Sequence, residues 1–134
     1  MLLKELRGSF PVPIAVPQVA AGAAGGGAWV APANFLITAA SLVWGASITG
    51  TATNFFTISF FNRASGAGTV QFGTAIAYSN GTNATKATPV TVTLSSTASD
   101  LQVASGDVLS VEITTTASGL LAPGGTLMLT GRWR

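Results

Sequence analysis

Apolar and polar residues alternate with a period of two through most of the chain after residue 28. In residues 53–61, Phe56, Ile58 and Phe60 share one face, while the residues between them share the other. Residues 90–94 and 108–113 repeat this alternation with β-branched and other apolar side chains. Side chains of a β-strand point alternately to its two sides, so the pattern predicts strands with one buried face.

The predicted strands are numerous and short. The main ones cover residues 35–44, 53–61, 69–78, 90–94, 108–113 and 126–133, with short pieces at residues 29–30, 46–49 and 101–103. The segments between them, such as residues 62–68, 79–85 and 118–125, are rich in the turn residues Gly, Asn, Ser and Pro. This spacing indicates an all-β fold, an antiparallel β-sandwich. We favour a jelly-roll-like sandwich over an immunoglobulin domain, which more often has a Cys–Trp–Cys frame.

The first 27 residues follow a different pattern. Alternate prolines at positions 11, 13 and 17 favour an extended backbone, and residues 20–28, with four glycines, predict a flexible hinge. We therefore divide the chain into an extended N-terminal arm at residues 1–27 and a sandwich at residues 28–134. A signal peptide fits less well, because prolines and a glutamine interrupt its apolar middle. The arm presents apolar residues for binding to a partner: Phe10, Val12, Ile14, Val16 and Val19.

Charge is scarce along the chain. Only 7% of the 134 residues are charged, 48% are hydrophobic, and no charged residue stands between Arg7 and Arg63. The six basic residues are scattered, unlike the clustered cations that bind nucleic acids. The longest apolar span, residues 33–44, is shorter than the roughly 20 residues of a membrane helix. The sequence thus predicts neither a nucleic-acid nor a membrane partner, and its weak charge repulsion favours assembly.

The residues needed for catalysis are sparse. The chain has no His and no Cys, and its four carboxylates are Glu5, Asp100, Asp107 and Glu112. A Ser nucleophile needs a base within hydrogen-bonding distance, and a glycosidase needs two carboxylates that flank the bond to be cleaved. The sequence indicates neither arrangement. We expect Asp100 and Asp107, near strand ends, to cap turns, although a calcium site there stays open. The prediction is a protein that is not an enzyme and that uses no cofactor or metal.

Four aromatic residues leave two interpretations open. Trp29, Trp44, Tyr78 and Trp133 could stack on the faces of sugar rings if they were exposed together. Packing in a core or at an interface is the more common fate of such side chains in a small domain. The alternation of the last strand places Leu127, Leu129 and Trp133 on one face, with Met128 and Arg132 on the other.

A resemblance to a known group rests on three short segments. Residues 29–32 (WVAP), 103–111 (VASGDVLSV) and 121–129 (LAPGGTLML) resemble strands of the small jelly-roll decoration (head auxiliary) proteins of tailed-phage virions. The similarity covers roughly residues 29–134. Proteins of this group sit on the outer capsid shell, are commonly trimeric and often bind through N-terminal arms. The resemblance implies no catalytic residues.

The resulting expectation is a virion structural protein, a capsid decoration or cementing protein. Its arm and low-charge β surface would bind the major capsid protein and identical copies in a homotrimer. It would be made in the host cytoplasm and lie on the capsid surface. Two alternatives stay open: a carbohydrate- or receptor-binding module of a tail fibre or spike, and a self-assembling pilus or surface-layer subunit whose arm completes a neighbour's sheet.

Overall fold

A computed structural model describes residues 8–134 of the protein, apart from the side chain of Ser65. The strands of this part of the chain are β1 (Ser9–Val16), β2 (Gly25–Val30), β3 (Phe35–Trp44), β4 (Phe56–Arg63), β5 (Val70–Ala77), β6 (Val90–Thr91), β7 (Gln102–Val103), β8 (Val108–Thr115) and β9 (Gly125–Trp133). Two short 3-10 helices, Ala64–Gly66 and Ala98–Leu101, lie in the connections. The predicted strand at residues 46–49 is reduced to a single bridge between Ile48 and Ala84.

The strands form two antiparallel sheets. In the first sheet β1 pairs with β9 and β9 with β3, whose other side pairs with both short strands β6 and β7. In the second sheet the order is β2, β8, β4, β5. The chain thus crosses repeatedly between the sheets, with its first and last strands side by side, which is the double Greek-key connectivity of a jelly roll. The predicted antiparallel, jelly-roll-like sandwich is confirmed.

The core lies between the sheets, where the period-two pattern places it. Phe56, Ile58 and Phe60 of β4 are fully buried, as predicted. From the first sheet, Leu127 and Leu129 of β9 are fully buried as well. Alternate residues of each central strand therefore form one continuous apolar layer, which stabilises both sheets together.

The predicted N-terminal arm requires a correction. Residues 9–16 form β1, which pairs with β9 of the same chain along its whole length. Val12, Ile14 and Val16 point into the core of this chain and are buried there. The domain boundary between residues 27 and 28 is therefore wrong, because these residues alternate with the period of a sandwich strand. The first seven residues of the predicted arm lie outside the described residues.

The prolines of β1 determine which of its sides can pair. Pro11 and Pro13 have no N–H group, so the hydrogen bonds to β9 fall to the alternate residues, among them Val12 and Ile14. The remaining backbone groups, including the Ala15 carbonyl, point away from β9. Because two N–H donors are missing there, the outer side of β1 is a poor template for another strand.

The predicted glycine hinge also requires a correction. Gly25–Val30 is strand β2, paired with β8, so the three consecutive glycines lie inside a sheet. A Cβ atom on Gly27 would overlap with the Ala15 carbonyl oxygen of β1. Glycine is required here because β1 and β2, the edge strands of the two sheets, approach each other closely at this point.

Candidate functional site: an uncharged face of the first sheet

The outward side of the first sheet is a broad surface that we call the neutral face. It is formed by Pro11, Pro13, Ala39, Ser41, Thr126, Met128 and Thr130, from β1, β3 and β9. These side chains are small, apolar or uncharged, and most of them are exposed. Binding a protein here would remove no charge from water, so the cost of desolvating an ionised group would not arise.

Met128 lies in the middle of the neutral face. In the register of the sheet it stands between Pro13 on β1 and Ser41 on β3, and it is 38% exposed. Its flexible thioether chain can adapt to an irregular partner surface. Arg132 is the one charged residue in the strands of this sheet, and it lies at the end of the face beside Ser9 and Leu36.

The outward side of the second sheet differs, because it carries an ion pair. The Arg63 guanidinium donates to Oε1 of Glu112 from Nη2 at 2.6 Å and from Nε at 3.0 Å. Its Nη1 donates to the Gly68 carbonyl at 2.9 Å, and its centre lies 4.1 Å from the Phe61 ring centroid. Arg63 thus holds the β4–β5 loop against the sheet, and its charge is paired within the chain.

The residues predicted to bind a partner through the arm belong to the chain's own packing. Val12, Ile14, Val16 and Val19 are buried in the core, so in this fold they cannot form a docking surface. Phe10 is half-buried and stacks on Trp133, with 4.1 Å between ring centroids. The outward residues of the same strand, Pro11 and Pro13 among them, are the ones that reach the neutral face.

The four aromatic residues do not form an exposed platform. Trp44 and Tyr78 are each 1% exposed, and the Trp44 Nε1–H donates to the Tyr78 hydroxyl oxygen at 2.8 Å. Burial raises the pKa of Tyr78 and outweighs the hydrogen bond from Trp44, which acts in the opposite direction. Trp29 and Trp133 are half-buried against Phe35 and Phe10. Trp44 and Tyr78 therefore pack in the core, whereas Trp29 and Trp133 lie at its margin, so the four rings do not present one exposed stacking surface.

The carboxylates near the strand ends serve local structure. Asp107 Oδ2 accepts hydrogen bonds from the Ala104 N–H and from Asn62 Nδ2, each at 3.0 Å, so Asp107 caps its turn as predicted. Residues 8–134 contain no group of three or more His, Cys, Asp or Glu side chains placed to hold a metal ion. The same residues include no helix that is long and apolar enough to cross a membrane.

Sequence reasoning found only part of the neutral face. The alternation of β9 predicted that Met128 points outward, and it does. The neighbours of Met128, however, come from strands far away along the chain, and no local signal identifies them. No family model, curated protein or solved structure matches the chain. A function is therefore proposed below from the geometry of the chain itself, and chiefly from the neutral face.

Proposed function

We propose that the protein is a virion structural protein, a capsid decoration protein that attaches to the outer capsid surface through its neutral face. The observation that carries the proposal is the combination of an uncharged sheet face with Met128 at its centre. The jelly-roll topology supports it, because viral capsid domains commonly have this fold. The partners would be the major capsid protein and identical copies, with a trimer as the assembled form and the capsid surface as the location after synthesis in the host cytoplasm.

The proposed attachment differs from the arm mechanism suggested by the sequence. Val12 and Ile14 stabilise the sandwich, whereas Pro11 and Pro13 contribute to the docking face. The outer side of β1 is poorly suited to strand addition, so we expect contact through the face of the sheet instead of through its edge. Burial of Met128 would provide the central apolar contact, surrounded by hydroxyl groups that can bond to the partner or to bridging water.

The test is a single substitution at the centre of the face. In Met128→Arg a charge would have to be buried without a partner, so binding to tailed-phage capsids stripped of decoration protein should weaken at least tenfold. Co-sedimentation measures the binding, and thermal unfolding checks that the variant is folded. The matched control is Leu121→Arg, because Leu121 is 45% exposed and lies outside the sheets.

Two results would contradict the proposal. The first is a wild-type protein that does not sediment with any such capsid. The second is a folded Met128→Arg variant that binds as well as the Leu121→Arg control. A loss of binding in both variants would also count against the neutral face, because an added positive charge would then weaken binding wherever it is placed.

A further inference from the structure

A polar groove runs along the outer edge of the second sheet, and Asp100 is the one residue of its lining that the sequence singled out. Its volume is about 820 Å³, which lies within the usual range for ligand sites of roughly 300–1,000 Å³. One wall comes from β5 and the other from residues 93–100, joined by hydrogen bonds from the Thr74 N–H to the Thr93 carbonyl (2.8 Å) and from the Ser95 N–H to the Phe72 carbonyl (2.9 Å). Its polar lining consists of Thr69, Gln71, Thr74, Thr93, Ser95, Ser96 and Asp100.

An irregularity of β5 builds the first wall. Gln71 and Thr74 are three residues apart, so a regular strand would place them on opposite sides. Against β4, the register shifts on either side of Gly73, and each shift inserts one extra residue into β5. As a result Phe72 and Gly73 are buried while Gln71 and Thr74 both face the groove. Bulges of this kind commonly redirect side chains beside functional sites.

The second wall holds one carboxylate in a fixed position. Asp100 Oδ2 accepts a hydrogen bond from the Ser95 hydroxyl at 2.6 Å, and the same Ser95 oxygen accepts from the Thr97 N–H at 3.2 Å. Oδ1 of Asp100 has no hydrogen-bond partner among residues 8–134, and neither have the side chains of Thr74 and Thr93. The groove therefore offers hydroxyl, amide and carboxylate groups that are available to a ligand.

The charge and the hydrogen-bonding groups of the side chains that line the groove favour some classes of ligand over others. Asp100 is the one charged residue of the lining and is negative, which disfavours phosphates and other anions. A single carboxylate falls short of the six to eight oxygen ligands that calcium takes. Hydroxyl groups that both donate and accept, together with a fixed carboxylate acceptor, match a ligand that carries several neighbouring hydroxyl groups.

We propose that this groove between β5 and residues 93–100 binds a neutral sugar through hydrogen bonds to Gln71, Thr74, Thr93 and Asp100. The inference goes beyond the proposed capsid attachment and does not depend on it, because the groove lies on the second sheet and the neutral face on the first. A protein that uses both surfaces would attach to a capsid on one side and to a glycan on the other.

The test uses the isolated full-length protein, labelled with nitrogen-15, and follows its amide resonances. The probes are the methyl glycosides of glucose, galactose, mannose and N-acetylglucosamine, each added to about 50 mM, well above a millimolar Kd. At least one probe should shift amides of residues 69–75 and 93–100 and leave those of the neutral face unchanged. If methyl glucoside binds, glucose 6-phosphate should bind more weakly, since its negative charge would enter a groove whose one charged residue is Asp100.

Matched variants distinguish sugar binding in the groove from nonspecific binding elsewhere on the protein. Thr74→Val with Thr93→Val removes two hydroxyl groups at nearly constant shape, and the Kd should rise at least tenfold. The control is Thr91→Val, an exposed threonine on β6 of the first sheet, which should bind as the wild type does. The proposal is overturned if none of the four probes shifts the groove amides, if the shifts lie elsewhere, or if the double variant binds as tightly as the control. Capsid co-sedimentation is a separate readout, so failure of either proposal is seen independently.

Discussion

Replacement of Ile14 by Ala distinguishes a strand of the sandwich from an arm that binds a partner. Ile14 is 2% exposed and stands opposite Leu127 in the register of β1 and β9. If the residue stabilises its own fold, the isolated chain must lose stability in Ile14→Ala. If it bound only a neighbouring subunit, the isolated chain would unfold at the same temperature as the wild type, and only assembly would suffer.

The size of the effect follows from the burial of the side chain. Truncation of a buried Ile to Ala typically lowers the free energy of unfolding by about 2–5 kcal/mol, the sum of the lost burial and the remaining cavity. A central value of about 3 kcal/mol is a large part of the roughly 5–15 kcal/mol that holds a domain folded. For a chain of 134 residues this corresponds to a fall in Tm of about 10 °C.

Thermal unfolding followed by circular dichroism measures the effect on dilute protein, at several concentrations so that assembly does not contribute. The control is Ala15→Ser, because Ala15 is the exposed neighbour on the same strand and its substitution should change stability by less than about 0.5 kcal/mol. An Ile14→Ala protein whose Tm stays within about 2 °C of the control would refute the placement of β1 in the core.

Two further predictions concern the close packing of the sheets and the buried tyrosine. Gly27→Ala should destabilise the fold by about 1–3 kcal/mol, because its Cβ would overlap with the Ala15 carbonyl oxygen, whereas Gly8→Ala, with no neighbouring atom in the way, should be nearly neutral in denaturant unfolding. Burial raises the pKa of Tyr78 above its usual value of about 10. The fold therefore favours the protonated phenol, and this stability is present below pH 10 and is lost as the pH rises above it. Tyr78 is the only tyrosine, so tyrosinate absorbance should rise above pH 10 together with the loss of tertiary structure, and ionisation near pH 10 in a folded protein would contradict the burial.

The strands that sequence reasoning located best are those with a buried side and a clear period. The predicted strand at residues 35–44 matches β3, and the one at residues 126–133 differs from β9 by a single residue. In both, alternate apolar side chains must point to one side, and that local requirement can be read without knowledge of the partner strand. The outward position of Met128 follows from the same alternation.

Strand partners could not be predicted from local patterns. β1 pairs with β9, although most of the chain separates them, and prolines in β1 suggested a free arm. Those prolines suit an edge strand whose outer side stays unpaired, a distinction that depends on the neighbouring strand. Likewise, Gly27 of β2 is required by the close approach of the Ala15 carbonyl and not by a need for flexibility. The polar groove was missed because a bulge, and not the strand period, brings Gln71 and Thr74 to one side.

The dimensions of the neutral face explain why assembly matters to the proposed attachment. Three strands, each occupying about 4.8 Å of the sheet, and eight residues of about 3.3 Å each give a face of roughly 14 by 26 Å, or just under about 400 Å². Both partners together would then bury about 800 Å², which is below the roughly 1,200–2,000 Å² of stable protein complexes. One copy should therefore bind a capsid weakly and reversibly. Several copies joined as the proposed trimer would bind together, since the second and third contacts form at high effective concentration and need no stronger individual contact.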